Sequence, residues 1–240
     1  MKKSLQLTLL VLALSACQAA AQTINAIGDF PQPVNAVACE GEIVTLTASK
    51  DAGGGLEYAP DQYEWIEVTN GNTPVSEPSG TLVLSGLLPG RHTYKVRGTV
   101  TSTSTCTGDF EEFTFYVLPA LDVKITSSGD ATGNIFCSDE LPLTVQLSAA
   151  VTPRQALPLT FGYTYQWYKV DGATETAISD ANSSTYAVNA FALGSTSYKL
   201  RTSYKVDATC SFDSAGGIAA AVDIIVKPRP VKPTITFSKS

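Results

Sequence analysis

The sequence predicts an all-β chain: two tandem antiparallel β-sandwiches behind an N-terminal signal peptide. Three observations carry this: an internal duplication, period-two alternation of apolar and polar residues inside each copy, and a leader laid out for export. With 240 residues, 44% of them hydrophobic and 16% charged, the chain has room for two domains and the composition of a folded protein.

The leader comes first. Lys2 and Lys3 precede an apolar run from Leu5 to Leu14, and small residues follow, the layout of a secretory signal peptide over residues 1–21. The run is too short for a bilayer core, which takes about 20 apolar residues. Two cleavage readings stand open. Leu14-Ser15-Ala16-Cys17 is similar to a bacterial lipobox, which would place a lipid anchor on Cys17 and hold the protein at the outer membrane or cell surface. Ala19-Ala20-Ala21 before Gln22 fits an ordinary small-x-small site and would release a secreted chain. Loss of Lys2 and Lys3 leaves 14 basic against 22 acidic residues, a formal charge of −8. A nucleic-acid partner needs clustered Lys and Arg, so none is expected.

The duplication sets the order of the rest. The first copy runs Val37-Ala38-Cys39-Glu40-Gly41-Glu42, then Val44, Leu46 and Ala48, then Tyr63-Glu64-Trp65, Tyr94-Lys95-Val96-Arg97 and Cys106. The second runs Ile135-Phe136-Cys137-Ser138-Asp139-Glu140, then Leu143, Val145 and Leu147, then Tyr165-Gln166-Trp167, Tyr198-Lys199-Leu200-Arg201 and Cys210. Alternation puts Tyr94, Val96, Gly98 and Val100 on one strand face and Lys95, Arg97, Thr99 and Thr101 on the other. The last strands, around Phe113-Phe115-Val117 and Val222-Ile224-Val226, stop at Pro119 and Pro228, which cannot donate to a ladder. No stretch beyond the leader sustains a helical period. The expected domains are therefore residues 22–120 and 121–230. A tail, 231–240, follows, and its Val231-Lys232-Pro233-Thr234-Ile235-Thr236-Phe237-Ser238 echoes the strand-opening Leu121-Asp122-Val123-Lys124-Ile125-Thr126-Ser127-Ser128. It reads as a disordered tail or a shortened relic of a longer repeat protein, and the sharper alternative is a strand that pairs with a sheet edge of another molecule.

The order Cys-x-Gly-x-x-Val-Thr-Leu-Thr-Ala over 39–48, then Tyr-x-Trp, a Tyr-initiated strand and a Cys before the final strand, resembles immunoglobulin-like or PKD-like tandem modules of Bacteroidetes surface proteins. The second copy departs from it with Asp139 where the first has Gly41. The resemblance implies immunoglobulin-like sandwiches serving as an exported stalk or adhesin module without enzymatic activity.

Cys39, Cys106, Cys137 and Cys210 form an even set, which in an exported chain points to disulfides. Cys39–Cys106 with Cys137–Cys210 is the expected pairing, since each module then staples itself. Geometry weighs against it, because the two positions sit at opposite ends of an ordinary sandwich and a disulfide spans only about 4.4–6.8 Å between Cα atoms. Cys39–Cys210, across the module junction, is the alternative. Zinc is not expected, because the cysteines are widely spaced and His92 is the sole histidine.

Trp65 and Trp167 read as core residues packed between sheets. Tyr168 alternates with Trp167, so it faces outward and is the candidate contact residue for a protein or glycan. Loops 50–61 with 102–109, and 151–160 with 206–215, are the candidate binding tips. Neighbouring acids such as Glu111-Glu112 point to opposite strand faces, and no nucleophile, base and orienting group come together, so no catalytic residue, metal or cofactor is expected. The sequence-level expectation is a non-enzymatic surface spacer or adhesion module. A carbohydrate- or protein-binding accessory module and a strand-donating filament subunit stand as alternatives.

Overall fold

The computed structural model describes residues 22–49, 59–101, 106–128, 134–213 and 221–237. Cys17 and the rest of the leader, and residues 50–58 and 102–105 of the candidate tip loops, lie outside the described residues. The first half comprises β1 (Thr23–Ile24), a 3-10 turn (Ile27–Asp29), β2 (Ala36–Cys39), β3 (Val44–Thr47), β4 (Gln62–Glu67) and β5 (Thr73–Val75). It continues with β6 (Thr81–Leu84), β7 (Gly90–Val100), β8 (Cys106–Thr107) and β9 (Glu111–Leu118). The second half comprises β10 (Leu121–Ser127), β11 (Ile135–Cys137), β12 (Val145–Pro153), β13 (Thr160–Phe161) and β14 (Tyr163–Asp171). It ends with β15 (Thr174–Ala177), β16 (Thr185–Val188), β17 (Gly194–Tyr204), β18 (Ser211–Asp213) and β19 (Val222–Lys227).

Each half packs a larger sheet on a smaller one. In the first, β2-β9-β7-β4-β5 faces β3-β6; in the second, β11-β19-β17-β14-β15 faces β10-β12-β16. β2 and β11 run parallel to the last strands β9 and β19, and the other pairs inside each sandwich are antiparallel. That order is the immunoglobulin-like sandwich. Alternation produces it directly: β17 turns Tyr198, Leu200, Thr202 and Tyr204 inward and leaves Lys199, Arg201 and Ser203 on the outer face. Trp65 and Trp167 fill the two interiors, and each indole Nε1 donates to a backbone carbonyl, of Ser79 and Ser183 respectively, at 2.9 Å.

Two details of the expected register change. The second strand of the second copy begins at Val145, so its inward residues are Val145, Leu147 and Ala149, and Leu143 is 94% exposed. Ala48 and Ala149 hold equivalent places, each donating its N–H across to the facing strand, to Gly80 and Ser184. The connection after Cys137 is three residues longer than that after Cys39, which slides the pattern. The turn after each cysteine keeps one hydrogen bond, Glu42 N–H to Cys39 O and Glu140 N–H to Cys137 O, both 3.1 Å. Gly41 makes that turn with φ +88°, whereas Asp139 makes it without positive φ, so the substitution changes turn type and preserves the bond.

The expected disulfide pairing is also corrected. Cys39 is bonded to Cys210, with Cα atoms 5.4 Å apart, and Cys106 and Cys137 are exposed outside that bridge. The reason is polarity. Cys39 ends β2 opposite Leu118, where β9 leaves the first module, while Cys106 on β8 faces Val100 at the other pole. At about 3.3 Å per residue, the intervening strand keeps them roughly 30 Å apart.

The cores differ in closure. Leu147 is 0% exposed, whereas its counterpart Leu46 is 8% exposed beside an open edge. Leu147→Ala is expected to cost about 3–5 kcal/mol of unfolding free energy and Leu46→Ala nearer 2 kcal/mol, as measured by urea titration. Equal losses would contradict this difference in closure.

Candidate functional site

The junction is the most heavily built region. Residues 22–35, which precede β2, run to the second module, and β1 pairs in parallel with β13, Ile24 opposite Phe161. Gly162 N–H donates to Ile24 O at 2.9 Å, and a Cβ at Gly162 would displace the Asn25 side-chain amide. Phe30, Tyr116, Phe161 and Tyr204 form a chain of aromatic contacts with ring centroids 5.0–6.2 Å apart. They belong to one buried cluster that also holds Leu118, Leu121 and Trp167, so the second module's core extends into the junction. The first module keeps a separate core around Leu46, Trp65, Leu82, Tyr94, Phe115 and Val117.

Polar groups at the linker are paired. Tyr204 Oη–H donates to Pro119 O at 2.8 Å, and Ala120 N–H donates to the Glu40 carboxylate at 2.7 Å. Burial and the neighbouring Tyr163, Tyr116 and Glu40 push the Tyr204 phenol well above its usual range, so the donor stays protonated. Cys210 is buried at the same seam. Thr160–Phe161 and Cys210, at the ends of loops 151–160 and 206–210, are thus tied to the first module. This disulfide closes over 171 residues, which in the chain-entropy limit contributes about 5 kcal/mol. Cys39→Ser with Cys210→Ser is expected to lower the stability of the junction by about 2–5 kcal/mol, seen as earlier urea release of junction amides from hydrogen-exchange protection. Unchanged protection would contradict it.

The outer face of the second module's larger sheet carries Tyr168, half-buried. The Arg201 guanidinium lies over its ring, Cζ 5.0 Å from the centroid. Arg201 donates twice to Asp213, Nε to Oδ1 at 2.7 Å and Nη2 to Oδ2 at 3.2 Å, and Lys199 Nζ donates to Glu175 at 2.6 Å. Tyr168 thus sits beside a satisfied ion network, and one face of its ring is occupied from within the chain. The hydrogen bond from Arg201, against some desolvation, holds the Asp213 carboxyl below its usual value, with Lys199 adding to the effect. Asp213 therefore stabilises the native state above the unfolded Asp pKa of about 3.9, and the contribution disappears as pH falls through the lower native value. Asp213→Asn is expected to destabilise by about 1 kcal/mol at pH 7 and by progressively less in acid. A difference that grew on acidification would contradict this.

A groove of about 480 Å³ opens at the first module, lined by Thr45–Ser49, Trp65, Tyr94, Val96, Glu111 and Phe113 among others. Among the described residues β3 pairs with β6 alone, whereas its counterpart β12 is flanked by β10 as well as β16. β10 touches β17, β18 and β19 and so closes the second module over the equivalent space. The first module's corresponding segment, 22–35, is engaged at the junction.

His92 lies on β7, its Nε2 2.8 Å from Leu88 O and its ring stacked on Phe115. Glu111 and Glu112 face opposite ways on β9, across from Val96 and Lys95. Among the described residues no three His, Cys, Asp or Glu side chains converge as a metal site, and no helix is long and apolar enough to cross a membrane.

No family profile matches the chain, and no curated protein does. Solved structures with similar backbones include the fibronectin(III)-like modules of Clostridium thermocellum CbhA, at 13% identity and a TM-score of 0.39, covering 85% of this chain and 96% of that one. A marsupial T cell receptor matches at 17% identity and a TM-score of 0.45, covering 82% and 72%. An amphioxus IgVJ-C2 molecule matches at 11% identity and a TM-score of 0.32, covering 79% and 99%.

Proposed function

We propose that this chain is a non-enzymatic spacer of the cell surface, a rigid two-module rod of the kind that Bacteroidetes surface proteins carry in tandem. In this reading the leader exports it, Cys17 or the cut before Gln22 decides between anchored and secreted forms, and outer sheet faces meet a protein or glycan. One observation carries the reading: the junction is fixed by a disulfide, a strand pair and a continuous apolar seam. A hinge between binding modules needs none of these. A rod that transmits position is served by all of them, because each adds a constraint between the modules.

The test pairs fluorophores on the outer faces of the two modules and reads their distance in single molecules. One narrow distance distribution is expected for the oxidised chain. A distribution already broad with the Cys39–Cys210 bond intact would overturn the rod. Intact mass of the exported protein reports lipid on Cys17, and release without lipid would remove the anchored form. Glycan-array binding that disappears on Tyr168→Ala would place the contact on the ring face that Arg201 leaves uncovered.

A further inference from the structure

We propose that copies of this chain join head to tail, residues 231–237 of one copy entering the first-module groove of the next as a third strand beside β3. The claim goes beyond the spacer reading and stands apart from it, since a rod that stayed monomeric would still be a spacer.

The acceptor is defined by hydrogen-bond parity. Ala48 N–H donates to Gly80 O, so Val44, Leu46 and Ala48 use their backbone groups on β6. Thr45 and Thr47 then direct theirs to the open edge, as alternate residues of an antiparallel strand must. In the second module the same edge of β12 is filled by β10, with Thr126 opposite Ser148.

The donor matches that filled edge. Val231, Ile235 and Phe237 are 91%, 94% and 86% exposed, an apolar face at period two with nothing beneath it. Aligned on the Lys124-Ile125-Thr126 echo, Val231, Pro233, Ile235 and Phe237 take the places of Leu121, Val123, Ile125 and Ser127. The bonds Arg154 N–H to Ala120 O and Ser128 N–H to Gln146 O show that even-numbered residues of β10 form the ladder. Val123 therefore points its N–H away from the partner, and Pro233 stands where no donor is needed. Thr236 falls opposite Thr47.

Polarity and charge agree. β19 leaves the second module at the pole remote from the junction, and the groove's Thr47–Ser49 end lies at the first module's remote pole. Residues 227–240 hold four basic and no acidic side chains, whereas residues 22–120 hold 12 acidic and 4 basic, and Asp109 and Glu111 line the groove. The cysteines repeat the logic. Cys137 ends β11 as Cys39 ends β2, and Cys106 stands at the turn before the last strand as Cys210 does. Stacking by the chain's own junction geometry places the exposed Cys137 of one copy at the exposed Cys106 of the next. Oxidation there forms one S–S bond by thiol–disulfide exchange, the two electrons and two protons passing to a disulfide oxidant such as oxidised glutathione.

The test uses a chain of residues 22–240 and its deletion of 231–240. The full chain is expected to sediment as concentration-dependent multimers and the deletion as a monomer. A labelled 228–240 peptide is expected to bind the deleted chain one to one. Thr47→Pro removes an edge N–H outside the β3–β6 ladder and is expected to weaken that binding about tenfold or more while leaving circular dichroism unchanged. If Thr47→Pro disturbs folding, Ile235→Asp in the peptide makes the same test from the other side. Under an oxidised glutathione buffer, Cys106→Ser and Cys137→Ser are each expected to stay monomeric on non-reducing gels and to form a dimer only when mixed. A monomeric full chain, peptide binding indifferent to both Thr47→Pro and Ile235→Asp, or dimers from either cysteine variant alone would overturn the proposal.

Discussion

The use made of residues 22–35 governs the rest of the molecule. In an immunoglobulin-like sandwich the segment ahead of the short parallel strand ordinarily lies along the smaller sheet, as β10 does in the second module. In the first module that segment crosses to its neighbour, where Ile24 and Phe30 join the second module's core and β1 lies against β13. One choice has two results: a junction with its own apolar interior, and a first module whose smaller sheet has two strands among the described residues, with a groove beside β3. The disulfide, the Tyr204 phenol on Pro119 and the Glu40 carboxylate on Ala120 all sit around that crossing.

Much of the architecture could be read from the residues. Alternation in 94–100 and 198–204 separates inward from outward side chains because one face of each strand is dry, and the two Tyr-x-Trp motifs mark the strand whose indole fills the interior. What escaped was anything set by a length difference or by contact between copies of the pattern. The longer connection after Cys137 displaces Leu143 from the expected face, and no local signal distinguishes Leu143 from Val145. Cysteine spacing does not state at which pole each thiol lies. The bridge follows from strand direction alone, with β2 parallel to β9 carrying Cys39 to the junction. β1 and β13 are two residues each, too short for any period, yet they fix how the modules meet.

The outer faces carry networks of ion pairs. Arg201 and Lys199 are held by Asp213 and Glu175, and in the first module Arg97 pairs with Glu64 at 2.6 Å while its guanidinium and the Lys95 ammonium lie over Phe110. Neighbouring strands thus present rows of matched charges over aromatic rings, which keep each face wettable and offer little bare apolar area. Tyr168 looked available from its place in the alternation. Only the pairing of β14 with β17, which sets Gln166 opposite Arg201, brings that guanidinium within reach of the neighbouring ring.

The separation of Cys39 from Cys210 also orders events during biosynthesis. Translation delivers Cys39 first, then Cys106, then Cys137, and the correct partner emerges last, after the whole first module and most of the second. A nascent chain thus meets two wrong thiols before the right one. Any premature link must be undone by exchange, so an isomerase acting on this chain would serve it only once the last of the four cysteines is accessible.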